Sequence, residues 1–176
     1  TFMWPASFWE KYEFFIRHSA GLGKSPTSSD PDIYDHRNIH CDVLVVGAGI
    51  SGILAAKNAA KNNFKTLLVD EKNELGGSTI YENNEFNKID NKTPSEWLKK
   101  EIEEIKNIKN LEIKTRTSVA AYHQYNYLLA RENLTDHLEA KDKTNKIRQR
   151  LLKIRAKKVI LATGALERPL IFNYND

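Results

Sequence analysis

An α/β fold, a parallel sheet with an added antiparallel β segment, is predicted by three stretches of this 176-residue chain. Val43-Leu44-Val45-Val46 is an apolar run that breaks into Gly47-Ala48-Gly49-Ile50-Ser51-Gly52. Lys65 to Val69 ends in the same way at Asp70, and Val159-Ile160-Leu161 ends at Ala162-Thr163-Gly164. Such runs suit strands buried on both faces, as parallel sheets require.

The first break carries the most chemistry. In a G-x-G-x-x-G turn, Gly47 makes the sharp bend, Gly49 lets backbone approach a bound pyrophosphate, and Gly52 lets the following helix pack on the strand. The helix is predicted over Ile50 to about Asn63, and its first N–H groups and positive dipole end form an anion site. Asp70 follows 18 positions after Gly52, near the spacing of about 20 at which a carboxylate accepts bonds from an adenosine ribose. A 2′-phosphate would be repelled there, which favours NAD or FAD over NADP; Glu71 is the neighbouring candidate. Strand, glycines, helix, second strand and acid in this order predict a Rossmann-like dinucleotide-binding domain. Leu75-Gly76-Gly77-Ser78 and the late Ala162-Thr163-Gly164 are together similar to the two-dinucleotide-binding flavoproteins of FAD/NAD(P)-binding type, in which both segments border the cofactor.

Composition is that of a globular protein, with 40% hydrophobic and 28% charged residues. No apolar run reaches the roughly 18 residues of a spanning helix, and no signal peptide opens the chain, so no membrane is expected. The net charge of +4 is modest and its cations are spread among acids except in Lys141 to Lys158, where Arg150, Lys153, Arg155 and Lys157 alternate with apolar residues as on a strand with a solvated face, so nucleic acid is not expected as a partner. Cys41 is the one cysteine. It fits a cytoplasmic setting, excludes a redox cysteine pair in this segment, and reads as a packed thiol. His36 and His40 precede it, but no fourth ligand stands at workable spacing and no metal site is assigned. His18, His123 and His137 are scattered, and no catalytic residue is assigned.

Residues 1–40 form an aromatic-rich segment and linker, and residues 41–176 a partial dinucleotide-binding domain. Trp4, Trp9, Phe14 and Phe15 imply burial against the nucleotide domain or a partner; Ser7 is the expected cap of a helix through Arg17, ended by Gly21 and Gly23. Ser78 to Lys92 reads as a polar loop. Thr93, Pro94 and Glu96 form a capping box that opens a helix to about Ile108, with Trp97, Leu98, Ile102, Ile105 and Ile108 on its packed face and lysines and glutamates facing water. Leu111 to Thr117 reads as a sheet strand, Ser118 to Leu129 as antiparallel strands, and Glu132 to Lys146 as a loop or short helix. Arg148 to Ala156 reads as an antiparallel strand leading into the buried Val159-Ile160-Leu161. The chain starts at Thr1 without an initiator methionine and stops just after a cofactor-lining strand, so it is expected to be a fragment.

Several segments resemble the alpha subunits of heterotetrameric sarcosine oxidases. They are Phe2-Met3-Trp4-Pro5 with Phe8-Trp9-Glu10, Ile16-Arg17 before Ala20-Gly21-Leu22-Gly23, and Cys41 through Gly47. Leu68-Val69-Asp70-Glu71, Leu75-Gly76-Gly77-Ser78, Thr115-Arg116-Thr117, Ile154-Arg155-Ala156 and Leu161 through Leu170 complete the set. The resemblance implies an oxidase that demethylates sarcosine to glycine with oxygen and tetrahydrofolate, releasing hydrogen peroxide and methylene-tetrahydrofolate. It implies NAD in this subunit, FAD and FMN elsewhere in the complex, other subunits as partners, and a small amine as substrate. Carried over by position, Gly47, Gly49 and Gly52 meet the pyrophosphate and Asp70 or Glu71 the ribose, with Gly76, Gly77, Thr163 and Gly164 completing the cradle. Family members often carry Gly-Gly-Gly-Pro-Ala-Gly-Leu at the turn; here Ala48, Ile50, Ser51 and Ile53 fill the variable places. That difference leaves FAD at this site, in a related amine or opine dehydrogenase subunit, as the alternative to NAD. A non-catalytic nucleotide-binding scaffold is the other.

Overall fold

The computed structural model of the protein describes residues 5–21, 23, 27–81, 88–139, 142 and 145–165. The chain divides into two compact units, with the boundary between Asp32 and Ile33.

In the first unit a 3-10 turn, Ala6–Phe8, leads into α1, Trp9–Ser19. Ser7 lies inside the turn instead of capping the helix: Phe8 takes the cap position and makes no side-chain cap bond. No residue of α1 is buried, and Phe14 and Phe15 are 62% and 68% exposed. Phe2 and Trp4 lie outside the described residues.

Among its described residues the second unit has six strands and two α-helices: β1 Ile33–Val46, α2 Ile50–Lys61, β2 Thr66–Val69, α3 Pro94–Lys106, β3 Leu111–Lys114, β4 Thr117–His123, β5 Tyr127–Asn133 and β6 Ile147–Leu161. They form one sheet in the order β3-β2-β1-β6-β5-β4. The β3-β2-β1-β6 part is parallel, whereas β5 pairs antiparallel with both β4 and β6. The mixed parallel and antiparallel sheet expected from the sequence is therefore present.

Alternation along β1 explains the two-sided burial. Val43 and Val45 face α2 and α3, where they pack with Ile53, Ala56, Leu68, Trp97, Leu98 and Ile105. Leu44 and Val46 face the other way and pack with Leu67 and Val69 against Leu128, Ala130, Leu152 and Ile154. The antiparallel part thus curls back over the parallel sheet and supplies its second cover. Each fully buried Leu, Ile or Val contributes about 1.5–3 kcal/mol.

The expected elements differ from the observed ones where pairing outweighs local composition. β1 begins at Ile33, well before Cys41, because its polar first half is held by the register Ile39↔Ile154 and Cys41↔Ala156 with β6. Glu132 belongs to β5, paired with Arg150 and Thr117, and not to a loop. Arg148 to Leu161 lies within one continuous strand, antiparallel to β5 and parallel to β1 at once. Its last residues are not buried: Ile160 is 37% and Leu161 59% exposed, since the register with β5 ends at Arg155↔Tyr127. The supposed loop after Gly77 starts with a 3-10 turn, Gly77–Tyr81, that buries Thr79.

The capping box forms as expected, with Glu96 N–H donating to Thr93 Oγ1 at 3.3 Å and Thr93 N–H to Glu96 Oε2 at 3.1 Å. One glutamate of α3 departs from the expected solvent face. Glu101 is 6% exposed and accepts a bond from Lys57 of α2 at 2.5 Å. No helix among the described residues is long and apolar enough to cross a membrane.

A ladder of charges closes one end of the two layers: Lys114 Nζ to Glu132 at 2.8 Å, Glu132 to Arg150 at 3.1 Å, and Arg150 to Asp35 at 2.7 Å. The hydrogen bond from Arg150 holds the Asp35 carboxyl below its ordinary range. Glu132 has side-chain exposure of only 10%, matching that of Arg150. Glu132→Ala should therefore cost about 1–3 kcal/mol in denaturant unfolding, because Lys114 and Arg150 lose a shared buried acceptor while Arg150 keeps Asp35 and Lys114 keeps Glu112. Truncating the exposed Lys157 of the Lys157–Asp42 pair should change stability little.

Candidate functional site

The parallel strands end together where the connections part: from β1 the chain crosses to β2 and β3 on one side, while β6 lies on the other. This is the crevice at which open α/β sheets bind ligands. The glycine turn from Gly47 to Gly52 emerges there, between the end of β2 and the end of β6.

The turn is anchored by its neighbours. Gly47 N–H donates to Val69 O at 2.8 Å, and Ala162 N–H donates to Val46 O at 2.7 Å. Gly47 has φ +100°, and a Cβ on it would stand 2.3 Å from Ala162 O. A Cβ on Gly52 would stand 1.8 Å from Gly47 O, so α2 sits against the turn at backbone contact distance. These two glycines are required by the packing of the chain itself.

Gly49 is different. Its φ of −71° and ψ of −174° suit any residue, and a Cβ built on it meets nothing within 4 Å. Nothing in the described chain requires glycine there, and the open space lies at the start of α2, whose first amides have no acceptor four residues back. A group needing close backbone approach, such as a pyrophosphate, fits this cradle.

The loop after β2 is bound to the turn. Asp70 Oδ2 accepts from Ala48 N–H at 2.5 Å and Oδ1 from Lys72 N–H at 2.8 Å. Gly76 N–H donates to Ala48 O at 2.7 Å. Gly76 has φ +129°, and the space a side chain would take is filled by Leu98 of α3, 2.4 Å from the position of a Cβ. Gly77, at φ +59°, brings that position to 3.0 Å from the Cα of Gly49.

The structure thus brings Gly47, Ala48, Gly49, Gly52, Asp70, Gly76, Gly77 and Ala162 into one contact group. Ile50 is half-buried against the helix-side core, and Ser51, Glu71, Ser78, Thr163 and Gly164 are exposed around it. Two residues named in the sequence reading were given no place at the site. Leu98 was legible only as one more apolar position of α3, with no sign that it packs on Gly76. Arg116 stands at the β3–β4 junction with φ +50°, a conformation that otherwise falls on Asn, Asp and Tyr125 among the described non-glycine residues. Its N–H donates to Lys72 O at 2.8 Å, beside the Asp70 loop.

Cys41 is 7% exposed in β1, and burial pushes its thiol up to about 11. It is protonated at neutral pH and unsuited to nucleophilic or redox work.

Residues 41–175 match the model of the pyridine nucleotide-disulphide oxidoreductases, and the chain belongs to that family of oxidoreductases. The disulphide part of that description has no counterpart in a segment with one cysteine. Among characterised proteins, the chain is similar to sarcosine oxidase subunit alpha of Rhizobium meliloti (strain 1021), at 39% identity over 100% of this chain and 18% of the relative. It is also 39% identical to sarcosine oxidase subunit alpha of Corynebacterium sp. (strain U-96), over 89% of this chain and 16% of that one. The chain therefore spans less than a fifth of the length of these relatives.

Among solved structures, L-proline dehydrogenase from P. horikoshii superposes with a TM-score of 0.61 at 23% identity, covering 87% of this chain and 28% of that one. Polycyclic ketone monooxygenase from Thermothelomyces thermophila gives a TM-score of 0.52 at 18% identity, covering 86% and 26%. Both likenesses concern the fold alone.

The contrast between the glycines is directly measurable. Gly49→Ala should leave the melting temperature nearly unchanged, whereas Gly52→Ala should lower it sharply or prevent folding, because its Cβ would overlap the Gly47 carbonyl.

Proposed function

We propose that this chain is the NAD-binding part of the alpha subunit of a sarcosine oxidase complex, with the pyrophosphate of NAD at the Gly47–Gly52 turn. The observation that carries the binding site is Gly49: an unstrained glycine, with open space where its side chain would be, at the amide-bearing start of a helix. Gly47 and Gly52 shape the turn, Asp70 and Glu71 stand at the ribose position, and Gly76, Gly77, Ser78, Ala162, Thr163 and Gly164 line the flanks. The 39% identity to sarcosine oxidase alpha subunits over the whole chain supports the assignment to that complex.

In this reading the complex oxidatively demethylates sarcosine, FAD and FMN act elsewhere in it, and the segment holds a nucleotide without supplying a catalytic group. Its partners are the other subunits, and the complex is cytoplasmic.

Acid extraction of the full-length protein purified with its partners tests the cofactor. NAD released along with flavin is the expected result; no NAD and two FAD per alpha chain, one more than the FAD held elsewhere in the complex, would assign this site to FAD instead. Gly49→Val should abolish retention of the nucleotide while leaving the protein folded. Retention at the wild-type level would place the pyrophosphate elsewhere.

A further inference from the structure

The acid at the end of β2 is expected to read the ribose, yet both of its oxygens already accept backbone N–H groups. Oδ2 takes Ala48 N–H at 2.5 Å and Oδ1 takes Lys72 N–H at 2.8 Å. Ala48 is fully buried between the two turn glycines, so with the loop in place Asp70 is the acceptor that satisfies its N–H, and a buried amide left unpaired at this position would carry the cost of desolvation.

The carbonyl of Ala48 is held as well, by Gly76 N–H at 2.7 Å. The middle residue of the turn is therefore clamped through its N–H and its C=O, from the two ends of the Asp70–Gly77 loop. Gly77 then lies against Gly49 Cα, with its Cβ position 3.0 Å away. The clamp therefore stands directly beside the Gly49 backbone.

Resting on the dinucleotide reading of the site, we infer that Asp70 is a positioning residue for the glycine turn: its carboxylate sets the pyrophosphate cradle before any nucleotide arrives. An ionised carboxylate has about four lone-pair sites, so two remain for ribose hydroxyls. Bracing and ribose recognition coexist on one side chain, and bracing is the part that every nucleotide fragment feels.

The two roles separate in a cycle that removes the hydroxyls and the carboxylate independently. Full-length protein stripped of nucleotide is titrated with ADP and with 2′,3′-dideoxy-ADP, as wild type and as Asp70→Ala. The brace predicts that the variant binds the dideoxy compound at least ten-fold more weakly than wild type does. An unchanged affinity for the dideoxy compound, with only ADP weakened, would make Asp70 a ribose reader alone and overturn the inference.

Amide hydrogen exchange in the ligand-free protein supplies a second readout. Exchange at Ala48 should accelerate at least ten-fold in Asp70→Ala, and an unchanged rate would overturn the brace. If the alanine variant does not fold, Asp70→Asn is measured in its place. Its single oxygen serves only one of the two N–H groups, so exchange at Ala48 or Lys72 must accelerate; acceleration at neither overturns the brace. A wild-type protein that binds neither ADP nor its dideoxy analogue would sink the dinucleotide reading, while the exchange rates would still decide the brace.

Discussion

The close approach of α2 to the end of β1 is the constraint on which the site depends. With the Gly47 carbonyl oxygen 1.8 Å from where a Gly52 Cβ would lie, helix and turn meet backbone to backbone. That contact directs the first turn of α2 at the crevice beyond β1. It also places Gly47 beneath Ala162, so the ends of β1 and β6 meet at the same point. The amides at the start of α2, the opening at Gly49 and the flank at Thr163 follow from this one junction.

The remainder of the second unit packs around the strands that carry the junction. β1 is buried on both faces over Val43–Val46 because α2 and α3 cover one side and the curled antiparallel strands cover the other. α3 has a part beyond simple cover, since Leu98 fills the space that lets Gly76 approach Ala48. The Lys114–Glu132–Arg150–Asp35 ladder ties β3, β5, β6 and β1 at one end. Desolvation of its members offsets much of the Coulombic attraction in a buried ladder of this kind.

The parts of this fold with strong local signals were legible in the sequence. The apolar run into Gly47, the helix over Ile50–Lys61 and the Thr93–Glu96 capping box each state their structure within a few residues. What stayed hidden depended on partners distant in sequence. The polar half of β1 is a strand because of β6, more than 100 residues away. Glu132 looks like a loop residue until Lys114 and Arg150 neutralise it. Val159–Leu161 reads as buried from its composition, yet β5 stops short of it and leaves Leu161 exposed. Within the site, the glycines and Asp70 were visible by spacing. The bonds from Ala48 to Asp70 and Gly76 were not, because backbone donors and acceptors leave no mark in the residue pattern.

The family match covers residues 41–175, and the similarity to sarcosine oxidase alpha subunits covers the whole chain. The distinct contribution of the geometry is to separate glycines that the chain needs for packing from the one that it does not. In the proposed reading, Gly49 marks where a ligand, and not the protein, fills the space. A crystal structure of the full-length protein with its native nucleotide bound measures this most directly. The account predicts pyrophosphate oxygens within hydrogen-bond distance of the amides at the start of α2 and in van der Waals contact with Gly49 Cα. A nucleotide bound elsewhere, or protein atoms occupying the space beside Gly49, would contradict it.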